Sequence, residues 1–294
     1  MSVSEFDYQT LLEKSENEEL EELAAVYHQL GCLSKNLNRS ISFYRRSIEI
    51  NLHYRPTDHD LLSTTYGNIG ALLNKRGDYN EALKYYKRAL DIDLRDPKTN
   101  ELKIANRCND IGNVLKNQKH YKQTIEYYHQ ALDIQTKNIP LNDPIFITTY
   151  HNLGSIYRLI NDYPLAFQYY EKALEILEAY LPLQHSLLIH TYNQIGSIYC
   201  LMKNYSTAYS YQQKALEIQI KIVSEDDPSL AIRHFNMAIA LEGLKDFKEA
   251  FDHIKTAIEI LRKSSGNYQR RIKHYKKHLE KLETLIHTHS HRHS

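Results

Sequence analysis

The chain has 294 residues, with 37 Lys and Arg against 36 Asp and Glu; a formal charge of +1 gives no global field to recruit nucleic acid or an anionic membrane. A mean hydropathy of -0.58, with no run approaching the ~18 consecutive apolar residues of a membrane-spanning helix, predicts a soluble protein without a membrane span. Nine Gly and seven Pro leave little material for a turn-rich sheet fold, and 24 Tyr against 7 Phe and no Trp point to aromatic positions that recur.

Taken in chain order, residues 1–17 form an acidic N-terminal segment without the apolar core of a signal peptide, which predicts a cytosolic or nuclear protein, cytoplasmic in the reading carried forward. Residues 18–57 follow as a degenerate first repeat. Ser40 and Ser47 lie 42 residues before Ala82 and Ala89, and Phe43-Tyr44 lie the same distance before Tyr85-Tyr86. The first helix of this repeat has drifted: its glycine slot holds His28, and Gly31 comes three residues later.

Residues 58–264 contain five units with a 42-residue period, marked by Gly70, Gly112, Gly154, Gly196 and Ala238. Small residues recur in two further slots, at Ala82, Thr124, Ala166, Ala208 and Ala250, and at Ala89, Ala131, Ala173, Ala215 and Ala257. Large residues stand between them, at Ile69, Ile111, Leu153, Ile195 and Met237, and at Tyr86, Tyr128, Tyr170, Gln212 and Ile254. Within a unit the apolar and small positions recur every three or four residues on either side of a polar break such as Arg76-Gly77-Asp78-Tyr79 or Lys203-Asn204-Tyr205. That pattern predicts two antiparallel helices per unit, with the glycine slot allowing close approach. The Asp143-Pro144 and Asp227-Pro228 pieces predict helix starts, with an acidic cap and Pro in the first turn.

Residues 265–286 predict a capping helix. Its apolar positions Ile272, Tyr275, Leu279, Leu282 and Ile286 are spaced by three and four, among Arg270, Arg271, Lys273, Lys276, Lys277 and Lys281. Residues 287–294 predict a disordered tail. Its alternating His287, His289, His291 and His293 have the composition of a metal-binding tract, but no second ligand cluster fixes a geometry, so they read as solvated.

Sites of chemistry are missing from the sequence. It has no glycine-rich phosphate loop, no HExxH, no nucleophile elbow and no distinctive carboxylate pair, so the expectation is a non-enzyme with no cofactor and no metal. Cys32, Cys108 and Cys200 are odd in number and widely spaced, which predicts packed thiols and no disulfide framework.

Tyr66, Ile69, Gly70, Ala82, Tyr86 and Ala89, with their counterparts in the later units, make each unit resemble a tetratricopeptide repeat. The common repeat has about 34 residues; the eight extra here lie between units, and both this length and the acidic-Pro segments resemble the repeats of kinesin light chains. The resemblance implies an all-α, right-handed superhelical solenoid of antiparallel helix pairs. It also implies an adaptor or scaffold whose first helices line a concave groove that binds a peptide segment of a partner protein. Residues 1–35 are too short for the heptad coiled coil that precedes the repeats in kinesin light chains.

Carried onto this sequence, the resemblance places Asn68, Asp110, Asn152, Gln194 and Asn236, each two residues before the glycine slot, where an Asn grips an extended peptide backbone. Asp110, which only accepts, and the longer Gln194 depart from that pattern, and bonding between adjacent helices is the structural alternative. Lys116 and Arg158, four residues after the slot, together with Asn109, Asn113, His151 and Asn193, predict a groove suited to a peptide carrying carboxylates. The carboxylate clamp of chaperone cochaperones cannot be laid onto these positions. Two other readings stand beside the groove: a regulatory segment associated with a separate enzyme or signalling domain, and docking through the basic last helix. No nucleic acid partner is expected.

Overall fold

A computed structural model describes residues 22–54, 59–180, 182 and 185–290, and among these every regular element is a helix. Residues 1–17 and the end of the His-rich tail, 291–294, lie outside the described residues. Helix α1 covers residues 22–33. It is followed by α2 (Leu37–Tyr54), α3 (His59–Arg76), α4 (Tyr79–Arg95), α5 (Glu101–Asn117) and α6 (Tyr121–Asn138). Then come α7 (Phe146–Leu159), α8 (Tyr163–Tyr180), α9 (Ser186–Leu201), α10 (Tyr205–Gln219), α11 (Pro228–Leu244), α12 (Phe247–Lys263) and α13 (Gln269–Ser290). The chain divides into two compact units, residues 1–141 and 142–294.

In the first unit α3 packs on α4, α4 on α5 and α5 on α6, with α2 against α3. In the second, each helix from α7 to α13 packs on the next, and α9 also touches α11 directly. The small slots explain how closely the helices sit. All the alanines at the two recurring second-helix positions, from Ala82 to Ala257, are fully buried. A Cβ placed on Gly112 would come 2.4 Å from the Tyr128 ring, and one on Gly154 would come 2.8 Å from Tyr170. The ring of the second helix therefore packs directly on the first-helix backbone, and any larger slot residue would push the pair apart.

The turns repeat as faithfully as the helices. Gly77, Lys119, Asn161, Lys203 and Lys245 are 42 residues apart and all have positive φ, between 61° and 93°. Each closes its first helix with a left-handed residue, even where the side chain is Lys. Helix starts are capped by side chains: Asn100 accepts from the Leu102 amide, Asn204 from Thr207 and Asp246 from Glu249. Asp227 caps α11, with Pro228 opening it as expected. Asp143 instead accepts from the Ile145 amide at 2.9 Å in a turn, and α7 begins only at Phe146.

The first repeat combines both candidates for its slot. Gly31 lies under the Tyr44 ring, where a Cβ would approach to 2.5 Å, and His28 packs beside the same ring at a centroid distance of 5.3 Å. Ser40 and Ser47, in the small slots, donate to the Gly31 and Ala24 carbonyls.

The last helix requires a correction. The stretch from His287, expected to be disordered, continues α13 as far as Ser290. The Thr284 hydroxyl bonds to the Glu280 carbonyl, and that of Thr288 bonds to the carbonyls of Thr284 and Leu285. These are second bonds, from side-chain hydroxyls back onto carbonyls of the preceding turn of the helix.

Candidate functional site

The burial pattern identifies the open face of each first helix. On α5 it comprises Asn106, Asp110, Asn113 and Asn117; on α7, Thr148, Asn152, Ser155 and Leu159; on α9, His190, Gln194, Ser197 and Leu201. These positions lie six and two residues before the slot and one and five after it, a single stripe on a 3.6-residue helix. The Asn68, Asp110, Asn152, Gln194 and Asn236 series is therefore on the stripe, each residue half-buried.

Several amides are held by neighbouring helices. In the first unit Asn68 Nδ2 donates to the Tyr44 hydroxyl at 3.4 Å, the Tyr128 hydroxyl donates to Asn113 Oδ1 at 2.8 Å, and Asn117 bonds to Asn74 at 3.0 Å. In the second, Asn236 Nδ2 donates to Asn193 Oδ1 at 2.7 Å, and the Asn193 carbonyl accepts from Gln212 Nε2. Asn109 is buried, 5% exposed, because the position three before the slot is rotated about 100° away from the stripe and into the packed layer. Asp110, beside Arg107 at 3.6 Å, has its carboxyl pushed up to about 6 by burial, with Arg107 acting in the opposite sense. Lys116 is half-buried on α5.

His151 occupies the same inward position on α7 as Asn109 on α5. Its Nε2 lies 2.8 Å from the Thr191 hydroxyl, which itself donates to the Leu187 carbonyl at 2.7 Å, so His151 Nε2 carries the proton and Thr191 accepts it. Burial and the neighbouring His190 ring, 5.5 Å away, lower the His151 pKa from 6.5 to about 4. His190 is lowered by burial and by Arg233, and His234 is lowered to about 4 by burial and His253. The unfolded chain takes up protons as pH falls below 6.5 while these rings stay neutral. Stability is therefore fully present above that pH and lost progressively down to about pH 4. Urea unfolding should show a lower midpoint at pH 5 than at pH 7.5, and His151→Gln should reduce that difference; an unchanged difference would contradict the assignment.

The second unit contains a cleft of about 650 Å³ between α7, α9, α10 and α11. Arg158, Ser197, Leu201, Asn236, Ile239 and Glu242 line it, with Tyr205 and Gly243 forming a tight wall, where a Cβ on Gly243 would come 2.2 Å from the Tyr205 ring. Arg158 Nε is buried with no hydrogen-bond partner. At the other end Glu242 is held by His278 at 2.6 Å and by Lys281, both on α13. Ser197 and Leu201 were not among the residues singled out in the sequence, where their signal was a place one and five residues after the slot, and Tyr205 stood out only as part of a polar break.

Among the described residues no group of three or more His, Cys, Asp or Glu side chains is arranged to hold a metal ion, and no helix is long and apolar enough to cross a membrane. The three cysteines are free, and burial pushes the Cys108 and Cys200 thiols up to about 11, away from thiolate chemistry.

Residues 19–95, 103–179 and 187–263 match the tetratricopeptide repeat family. No curated protein matches the chain. Among solved structures the chain is similar to BtubC (BKLC) from P. vanneervenii, with a TM-score of 0.69 and 21% identity over 80% of this chain and 95% of that one. It is also similar to the apo form of RapI, with a TM-score of 0.64 and 18% identity over 90% of this chain and 99% of that one. Putative kinesin light chain TPR-like repeats from Podosopora anserina align at a TM-score of 0.61 and 15% identity, over 67% of this chain and 93% of that one. At such identities the likeness is one of fold, a solenoid of helix pairs that includes kinesin-light-chain-like repeats. With three matched blocks spanning most of its length, this chain belongs to the tetratricopeptide repeat family.

Proposed function

We propose that this protein is a non-catalytic cytoplasmic adaptor that holds a peptide segment of a partner protein against the open faces of its first helices. Tetratricopeptide repeats generally mediate protein–protein interaction. The observation that carries the reading to this chain is the concave, partly apolar cleft lined by Arg158, whose guanidinium bonds the Tyr170 side chain while its Nε is buried with no acceptor. A buried donor left without an acceptor costs free energy that a ligand carboxylate would recover through a charge-assisted hydrogen bond. Ser197, Asn236 and Ile239 offer the mixed polar and apolar lining that a peptide side chain and backbone need.

Affinity capture from the native cell, comparing the parent with Arg158→Glu and with Arg158→Glu combined with Lys116→Glu, tests this. Recovery of partners should fall by about tenfold or more, the usual scale for truncating a buried charged contact, while helical circular dichroism is retained. Equal recovery by the double variant would overturn the proposal.

A further inference from the structure

We infer that the exposed face of α13 is a second docking surface, built for an acidic helical segment of a partner protein whose carboxylates recur one turn apart. Arg270, Arg271, Lys273, Lys276 and Lys277 fall within eight residues that contain no Asp or Glu, and all five are exposed. None of the five forms an ion pair among the described residues, whereas Lys281 further along the helix is engaged by Glu242, and Lys263 lines a shallow cleft with Glu225, Asp226 and Glu259. The first turn of α13 holds no acidic residue. Arg270 and Arg271 thus stand at the positive end of the helix dipole, the arrangement a solvated helix surface avoids and an anion-binding surface exploits.

Packing accounts for only one of these cations, Arg271, whose guanidinium lies over the Tyr268 ring at 6.0 Å. Ile272, Tyr275 and Leu282 are buried against the neighbouring helices, with Tyr275 stacked on Phe235 at 4.2 Å, and this stripe, joined by Leu279 and Leu285, seats the helix. On the opposite side Arg270, Lys273 and Lys277 are spaced by three and four residues, a line of about 10 Å along the axis. Carboxylates at the same spacing on a second helix would meet them turn for turn.

Charge and surface chemistry favour a short acidic segment over a larger polyanion. Removing these five cations from the formal charge of +1 leaves -4 on the rest of the chain, which opposes an extended duplex or bilayer. No large apolar side chain is exposed on α13 to enter a membrane interface.

The test is fluorescence anisotropy with the full chain at low and high salt. The probe is a labelled Ala-rich helical peptide with Glu at i, i+3 and i+7, compared with its scrambled isomer, phosphatidylserine vesicles and a short DNA duplex. The patterned peptide should bind more tightly than every other probe and weaken with salt. Arg270→Gln with Lys273→Gln and Lys277→Gln should weaken it about tenfold without changing helical circular dichroism. An equally discharged control, Lys98→Gln with Lys221→Gln and Lys248→Gln, should bind as the parent does, and so should Arg158→Glu. Parent-like binding by the α13 variant, loss of binding in Arg158→Glu, or tighter binding of vesicles or duplex would each overturn the inference.

Discussion

Gly154→Ala should destabilise the second unit, although Ala is the better helix former by roughly 1 kcal/mol. The new Cβ would lie 2.8 Å from the Tyr170 ring, and Tyr170 is itself 2% exposed, so the ring has nowhere to go. Gly154→Leu should be worse, with a loss on the order of 3 kcal/mol or more from overpacking. Gly196 makes an internal comparison. A Cβ there meets the Gln212 Nε2 at 2.7 Å, the end of a flexible side chain, so Gly196→Ala should cost less than Gly154→Ala. Combining Gly154→Ala with Tyr170→Leu should recover part of the loss, and the coupling read from a double-mutant cycle in urea measures the contact. A gain in stability for Gly154→Ala alone, as helix propensity demands, would show that the slot is not tight.

In the first unit the largest effect is expected from Asp93→Ala. The Asp93 side chain is 1% exposed and forms ion pairs with Lys103 Nζ at 3.0 Å and Arg107 Nε at 3.2 Å. Lys103 also reaches Asp60 at 2.7 Å, and Arg107 donates to the Ser63 carbonyl, tying α3, α4 and α5 together. Gly67 makes room for that guanidinium, since a Cβ there would come 2.2 Å from Arg107 Nη1. Alanine at position 93 removes the one fully buried anion and leaves Lys103 to the more exposed Asp60 and Arg107 to Asp110 at 3.6 Å, a loss of about 3 kcal/mol, the lower end for breaking a buried pair. Replacing the whole cluster, Asp93→Leu with Lys103→Met and Arg107→Thr, should cost less than the single change. The second unit already uses that solution: two periods on, the positions of Asp93 and Arg107 are held by Leu177 and Thr191, both fully buried. Three periods on, Gln219 accepts from Arg233 Nε at 2.8 Å. A triple variant less stable than Asp93→Ala would contradict the charge argument.

These two sites differ in how visible they are in the chain. Gly154 and Tyr170 belong to one helix pair and stand in slots that recur every 42 residues, so the period exposes them. The Asp93 cluster interrupts the period, because its counterparts are Gln135, Leu177 and Gln219, and no repeat argument could single it out. The same limit applied to the candidate groove. Asn109 and Asp110 are adjacent in sequence, yet one is buried and the other is on the open stripe. The amides of Asn113 and Asn236 looked available until Tyr128 and Asn193 proved to bond them.

By itself the sequence determined the repeat period, the helix pairs, the small slots and the polar turns, since each depends on contacts within one unit of the chain. The tertiary structure alone decided which amides are taken up by neighbouring helices, that Arg158 Nε is buried without a hydrogen-bond partner, and how far α13 runs. The first two of those outcomes depend on how successive helices pack. Residues some 40 positions apart, such as Asn236 and Asn193 or Glu242 and His278, meet only when successive helix pairs stack.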